Sequence, residues 1–236
     1  MYMLEDYRKL WENSIDELNQ SESPIPRLLA NRFTSKRFDT TPVPEKHMKE
    51  IMDSIQWTPC KGAVQTFKVW AITDSSEGKD LKQTIYKEVA TTSPLKAKEL
   101  LGEVTNPQVL APLVLVFWSY RYGEEDGYIG YDLEQKEIVD GQINSNYDGH
   151  NTDPIAMAAM NAILTAESLG LNTAYCKCFN EPGAKKLLAG NKDKNYKQLE
   201  LMVGIGYNSI ETAQNKKCFN IGNANAKTRT DLFTVV

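Results

Sequence analysis

The sequence predicts an α+β fold, one sheet with helices packed on it. Two apolar runs, residues 113–118 and 200–207, read as buried strands, and residues 154–169 read as an apolar helix. The elements follow as helix, helix, strand, helices, strand, long excursion, helix, strand, short helix, strand and tail, which is not the strict alternation of a doubly wound fold. With 236 residues and 41% hydrophobic side chains, the chain is long and apolar enough for a sizeable core.

Each element has a local reason. Leu10, Trp11, Ile15 and Leu18 recur at helical spacing over residues 7–18, and residues 21–26, with two prolines, read as a break. Thr41-Pro42-Val43-Pro44 opens a second helix with Met48, Ile51, Met52 and Ile55 on one face, Pro44 in its first turn and an end before Pro59. Residues 66–73 are strand-like, and Leu81, Ile85 and Val89, then residues 95–101, mark helical stretches. Residues 120–153 shift to Gly, Asp, Glu, Asn and Tyr and read as an insertion, either solvated or a lid. Residues 154–169 are apolar nearly all round, which suits a buried or interfacial helix. Residues 173–179 and 200–207 are the last strands. The organisation is an N-terminal helical extension, 1–26, and a main domain, 27–236, interrupted at 120–153.

Charge and composition narrow the function. Lys plus Arg number 27 against Asp plus Glu 31, a net −4, the wrong sign for gripping nucleic acid. No apolar run approaches the roughly 20 residues of a membrane span, and the start does not resemble a signal peptide. A soluble, cytoplasmic protein is expected, with Cys60, Cys176, Cys178 and Cys218 reduced. With only His47, read as solvated, and His150, in a polar loop, no protein-built metal site is expected and no catalytic acid or base stands out. Chemistry here points to a bound cofactor.

Arg32, Thr34 and Lys36 alternate, so an extended backbone directs two cations and a hydroxyl to one side, a set suited to phosphate. Lys227-Thr228-Arg229 repeats that pattern near the other end. Each also reads as a solvated charge cluster. Gly204-Ile205-Gly206 lacks the third glycine and following helix of a dinucleotide fingerprint, and no Walker A loop is present.

Taken in order, Arg32 to Phe38, the Pro-Val-Pro-Glu helix start, Trp57-Thr58-Pro59-Cys60 leading to Gln65-Thr66-Phe67, Ala166-Glu167-Ser168-Leu169-Gly170-Leu171 and Val203-Gly204-Ile205-Gly206-Tyr207 resemble the FMN-dependent nitroreductase family over roughly residues 27–232. The resemblance implies a three-layer α+β fold whose central, mostly antiparallel mixed sheet is flanked by helices. It implies that Arg32, Phe33, Thr34 and Lys36 hold one side of the FMN phosphate and Lys227 and Arg229 the other. It places Pro59, Cys60, Lys61, Ala63 and Gln65 under the flavin ring, and Tyr175, Cys176, Lys177 and Cys178 at its N5 and O4 edge. Two positions depart from the family pattern: Ala63 stands where an asparagine is usual and Cys178 where a glycine is.

The resemblance further implies a homodimer that takes hydride from NADH or NADPH onto FMN and passes it, ping-pong, to a small planar acceptor of nitroaromatic or quinone type. Related chemistries are dehydrogenation, dehalogenation and flavin fragmentation. Two other classes stay open: a flavin- or tetrapyrrole-binding module without turnover, and a plain scaffold.

Overall fold

The computed structural model describes residues 16–32, 34–35, 37–60, 66–90, 106–120, 137–139, 142–144, 153–177, 179–193 and 195–209. Its elements, in chain order, are α1 (Pro24–Asn31), α2 (Glu45–Gln56), β1 (Phe67–Ile72), α3 (Ser76–Thr84), β2 (Leu113–Tyr120), β3 (Glu137–Val139), β4 (Gln142–Asn144), α4 (Asp153–Ser168), β5 (Asn172–Cys176), α5 (Glu181–Ala189) and β6 (Tyr196–Gly206). A π-helical turn, Ile85–Val89, extends α3, and a 3-10 turn, Pro107–Leu110, leads into β2.

Four strands form the sheet in the order β1-β2-β6-β5, every neighbouring pair antiparallel. An isolated parallel bridge, Thr34 to Thr173, lays the chain before α2 against β5. All eight residues of β2 are buried, because side chains alternate across a sheet covered on both sides. Leu113, Leu115 and Phe117 enter a first core with Ile51 and Ile55 of α2 and Ile155, Ala158, Ala162 and Ala166 of α4. Val114, Val116 and Trp118 enter a second core with Ile85 and Val89 of the π turn and Ala184 of α5. The result is three layers, helix on sheet on helix. β3 and β4 pair as a separate antiparallel hairpin.

Several elements differ from the sequence reading. A helix, α1, occupies part of the expected break, because Pro24 and Pro26 sit in its first turn, where a missing N–H leaves no bond unmade. Pro44 caps α2 from outside its first turn. β6 starts at Tyr196, four residues early, with Lys197 and Gln198 both exposed before its buried run begins at Leu199. β5 stops at Cys176, and Phe179 instead bridges Ala90. Helix α4 buries one face only: Met157 and Met160 are exposed on the other.

Gly204 and Gly206 serve packing. A Cβ on Gly204 would collide with the Gln108 carbonyl oxygen, and one on Gly206 would press on the Pro112 ring at 2.7 Å. Strand β6 can therefore lie close against the turn before β2 only with glycine there.

His47 is half-buried, not solvated as its charged neighbours suggest, and its Nδ1 is covered with no hydrogen-bond partner among the described residues. The expected helix at 95–101, His150 and most of the 120–153 insertion lie outside the described residues.

Candidate functional site

Arg32 ends α1: its backbone N–H donates to the Leu28 carbonyl at 2.9 Å and its ψ of 134° turns the chain extended. The extended segment then docks on the sheet. Thr34 bridges Thr173 in parallel, Ser35 N–H donates to the Thr173 carbonyl at 2.8 Å, and Asp39 N–H donates to the Tyr207 carbonyl at 2.9 Å. The segment thus passes the start of β5 and the end of β6.

Alternation sorts its side chains. Ser35 is fully buried, its hydroxyl held between Asn208 Oδ1 and the Arg37 carbonyl. Thr34 and Arg32 are half-buried. The Arg32 guanidinium forms no ion pair with any described residue. A half-covered cation without a counter-charge among the described residues, one alternation from a hydroxyl, suits an anion.

Pro59 and Cys60 follow α2 on a fixed base. Thr58 is buried, its N–H donating to the Ile55 carbonyl at 3.1 Å. From α4, the Asn161 amide donates to Thr58 Oγ1 at 3.2 Å and to the Ser54 carbonyl at 3.3 Å. Cys60 packs half-buried on the first core, and burial pushes its thiol up, so it stays protonated at neutral pH. Pro59 is exposed, and Trp57 beside it is 85% exposed.

Tyr175, Cys176 and Lys177 continue from Thr173. Tyr175 pairs with Val203 of the first core, so it projects on the α4 side, where it is 47% exposed. The Cys176 side chain turns the other way into the second core, and Lys177 is exposed. Phe33, Lys36, Lys61, Ala63, Gln65, Cys178, Lys227 and Arg229 lie outside the described residues.

Helix α4 is the spine that brings these groups into one region. Near its C-terminus, Glu167 accepts a hydrogen bond from Thr173 Oγ1 at 2.7 Å, fixing the strand on which Thr34 docks. Six residues earlier, about 9 Å along the axis, Asn161 holds the Pro59–Cys60 base. Tyr175 lies about 7 Å along β5 from Thr173. Sequence reasoning missed Ser35, Asn161, Glu167 and Thr173 as positioning residues. Ser35 had a signal, the inward phase of the same alternation, and so had Asn161, a polar residue in an apolar helix.

Among the described residues no helix is long and apolar enough to cross a membrane, and no cluster of His, Cys, Asp and Glu is suited to a metal ion.

No curated protein matches the sequence significantly. Solved structures do share the fold. A nitroreductase family protein from Clostridium novyi NT is 18% identical, with 78% of this chain and 85% of that chain covered and a TM-score of 0.55. Another, from Clostridium difficile 630, is 15% identical over 88% and 97% of the two chains, again at 0.55. Iodotyrosine deiodinase, solved bound to FMN and 3-iodo-L-tyrosine, is 18% identical over 78% and 89%, at 0.53. The sequence itself matches the Nitroreductase family over residues 29–207, a span that takes in the Arg32 segment, the Pro59–Cys60 base and β5, and the chain belongs to that family.

Proposed function

We propose that this chain is an FMN-dependent oxidoreductase that takes hydride from NADH or NADPH and passes it to a small planar acceptor, nitroaromatic or quinone in type, by a ping-pong cycle. The observation that carries the reading is the half-buried Arg32 guanidinium, which has no ion pair among the described residues, two positions before Thr34 on a segment docked to β5. Family membership and the FMN-bound relative of the same fold support it.

The donor set fits a phosphate monoester: a guanidinium and a hydroxyl, to which Lys36, Lys227 and Arg229 add charge. When bound, FMN supplies the ring that accepts and releases hydride. The chain's own residues hold and shield. Arg32 and Thr34 anchor the phosphate end. Tyr175 and Lys177 present the edge of β5. Cys60, held as a neutral thiol on the core, gives an uncharged wall.

The working unit is a homodimer. Helices α2 and α4 pack together, and the exposed Met52 of α2, Trp57 just beyond it and Met157 and Met160 of α4 form apolar surface that a second copy covers.

An anaerobic absorbance spectrum with and without NADH or NADPH tests the reading. A yellow protein that bleaches on addition supports it. Yellow that never bleaches means a flavin-binding module without turnover. No colour, and no rise in Tm with added FMN, overturns the flavin assignment altogether.

A further inference from the structure

The end of β5 presents an aromatic ring and a cation. Tyr175 and Lys177 are exposed, whereas Ala174 and Cys176, the residues that alternate with them, are buried. Tyr175 pairs with Val203 of the first core and projects on the α4 side, and Cys176 turns into the second core. Because β5 is extended through Cys176, the pleat returns Lys177 to the side of Tyr175, with their Cα atoms about 7 Å apart. Lys177 also lies four residues beyond Thr173, about 13 Å along the strand from the place where Thr34 docks. The pair therefore stands well away from the Arg32 segment, at the stretch assigned above to the flavin edge.

The charge on Lys177 is not spent within the fold. It forms no ion pair with any described residue. Glu167 of α4 is taken by Thr173, at the other end of the strand. Glu200 of β6 is buried, and it stands two residues before Met202, whose side chain lies in the second core, so it faces the opposite side of the sheet from Lys177. Cys60, on the α4 side, is a neutral thiol.

We propose that the acceptor taken at this end of β5 is an aromatic compound bearing an acid group, with its ring on Tyr175 and its acid on the Lys177 ammonium. A tyrosine ring offers a flat apolar face on which a planar ring packs, and an ammonium offers a compact, three-donor charge for a carboxylate. The spacing of the two is comparable with the length of a substituted benzene ring. Lys177 is then a residue that selects among acceptors by charge and takes no part in the hydride step. The inference rests on the flavin reading and narrows its acceptor from planar aromatics in general to anionic ones.

The test uses the full-length chain loaded with FMN and kept oxidised, with FMN content measured first for each variant. 4-Nitrobenzoate and its neutral counterpart 4-nitrobenzamide are titrated in, and binding is read from the perturbation of the flavin absorbance. The acid should bind more tightly than the amide, and its advantage should shrink as salt rises. Lys177→Gln should lower the acid-to-amide affinity ratio about fivefold, the worth of an exposed ion pair, and Lys177→Glu should reverse the preference. Tyr175→Ala should weaken both ligands, with Tyr175→Phe restoring them. An acid-to-amide ratio equal in the parent and Lys177→Gln, or both ligands bound as in the parent by Tyr175→Ala, overturns the proposal and leaves the flavin reading standing. A chain that takes up no FMN overturns both.

Discussion

Thr173 is joined to Thr34 through its backbone and to Glu167 through its hydroxyl, the latter at 2.7 Å. One residue therefore transmits the position of helix α4 to the segment that carries Arg32. The segment proposed to grip a phosphate is held by the core and is not left to a free tail.

Replacing Arg32 with Ala should weaken FMN binding about 10- to 100-fold, the worth of one charge-assisted hydrogen bond. Stability without FMN should change by less than about 0.5 kcal/mol, because Arg32 has no ion pair among the described residues to lose. Flavin fluorescence quenching and urea denaturation read the two quantities separately. An unchanged Kd removes Arg32 from the site.

Ser35→Ala should do the reverse in proportion. The buried hydroxyl bonds Asn208, so its loss should cost about 1–2 kcal/mol of stability while FMN affinity falls less than in Arg32→Ala. Ser35→Thr, which keeps the hydroxyl, should recover part of the loss. A fully stable Ser35→Ala protein would show that the segment is held by its backbone alone.

Lys82 is buried, and its ammonium bonds Asp74, the Ala111 carbonyl at 2.8 Å and the Pro112 carbonyl at 3.2 Å. Burial lowers its pKa and Asp74 opposes that. Lys82→Met leaves these acceptors without their donor and should cost about 2–4 kcal/mol, measured by denaturant titration. A loss below about 1 kcal/mol would mean that water replaces the ammonium.

Gly204→Ala should destabilise by about 1–3 kcal/mol, since the Gln108 backbone and the Ala111 Cβ at 3.1 Å leave no room for a methyl group. A Tm within a degree of the parent would show that the turn before β2 yields.

Asp193 gives a pH signature. The Asn195 backbone N–H, first, then Tyr120 Oη–H and Lys68 hold its carboxyl below the usual range. A lowered folded-state pKa adds stability above the unfolded value of about 3.9, and that stability disappears as pH falls through the folded value. The stability gap between parent and Asp193→Asn should therefore narrow between about pH 5 and pH 2. A gap independent of pH in this window refutes the linkage.

Legibility in the sequence followed burial. Strand β2 could be read because both its faces are covered, so all of its residues are apolar apart from Ser119, and α4 because so many of its positions are apolar. Helix α1 escaped because proline signals a break and a helix start with the same letter, and only the following turn decides. The early part of β6 escaped because Lys197 and Gln198 face solvent. In the site, Arg32 and Thr34 were visible as chemistry. Ser35 and Asn161 carried only the weak signals of alternation and of a polar residue in an apolar helix, because their partners, Asn208 and Thr58, lie far away in sequence, and Thr173 meets Glu167 only through the turn between α4 and β5.

The strand order has a consequence for biosynthesis. β6 is made last of the four yet lies between β2 and β5, so during synthesis both neighbours wait with an unpaired edge until residues 196–206 emerge. Among the described strands, the buried row of β2 has only β1 for a partner through that interval, and a nascent chain stalled before β6 exposes this fully buried strand along one side. Chaperone capture of stalled chains should consequently fall sharply once β6 clears the ribosome and closes the sheet.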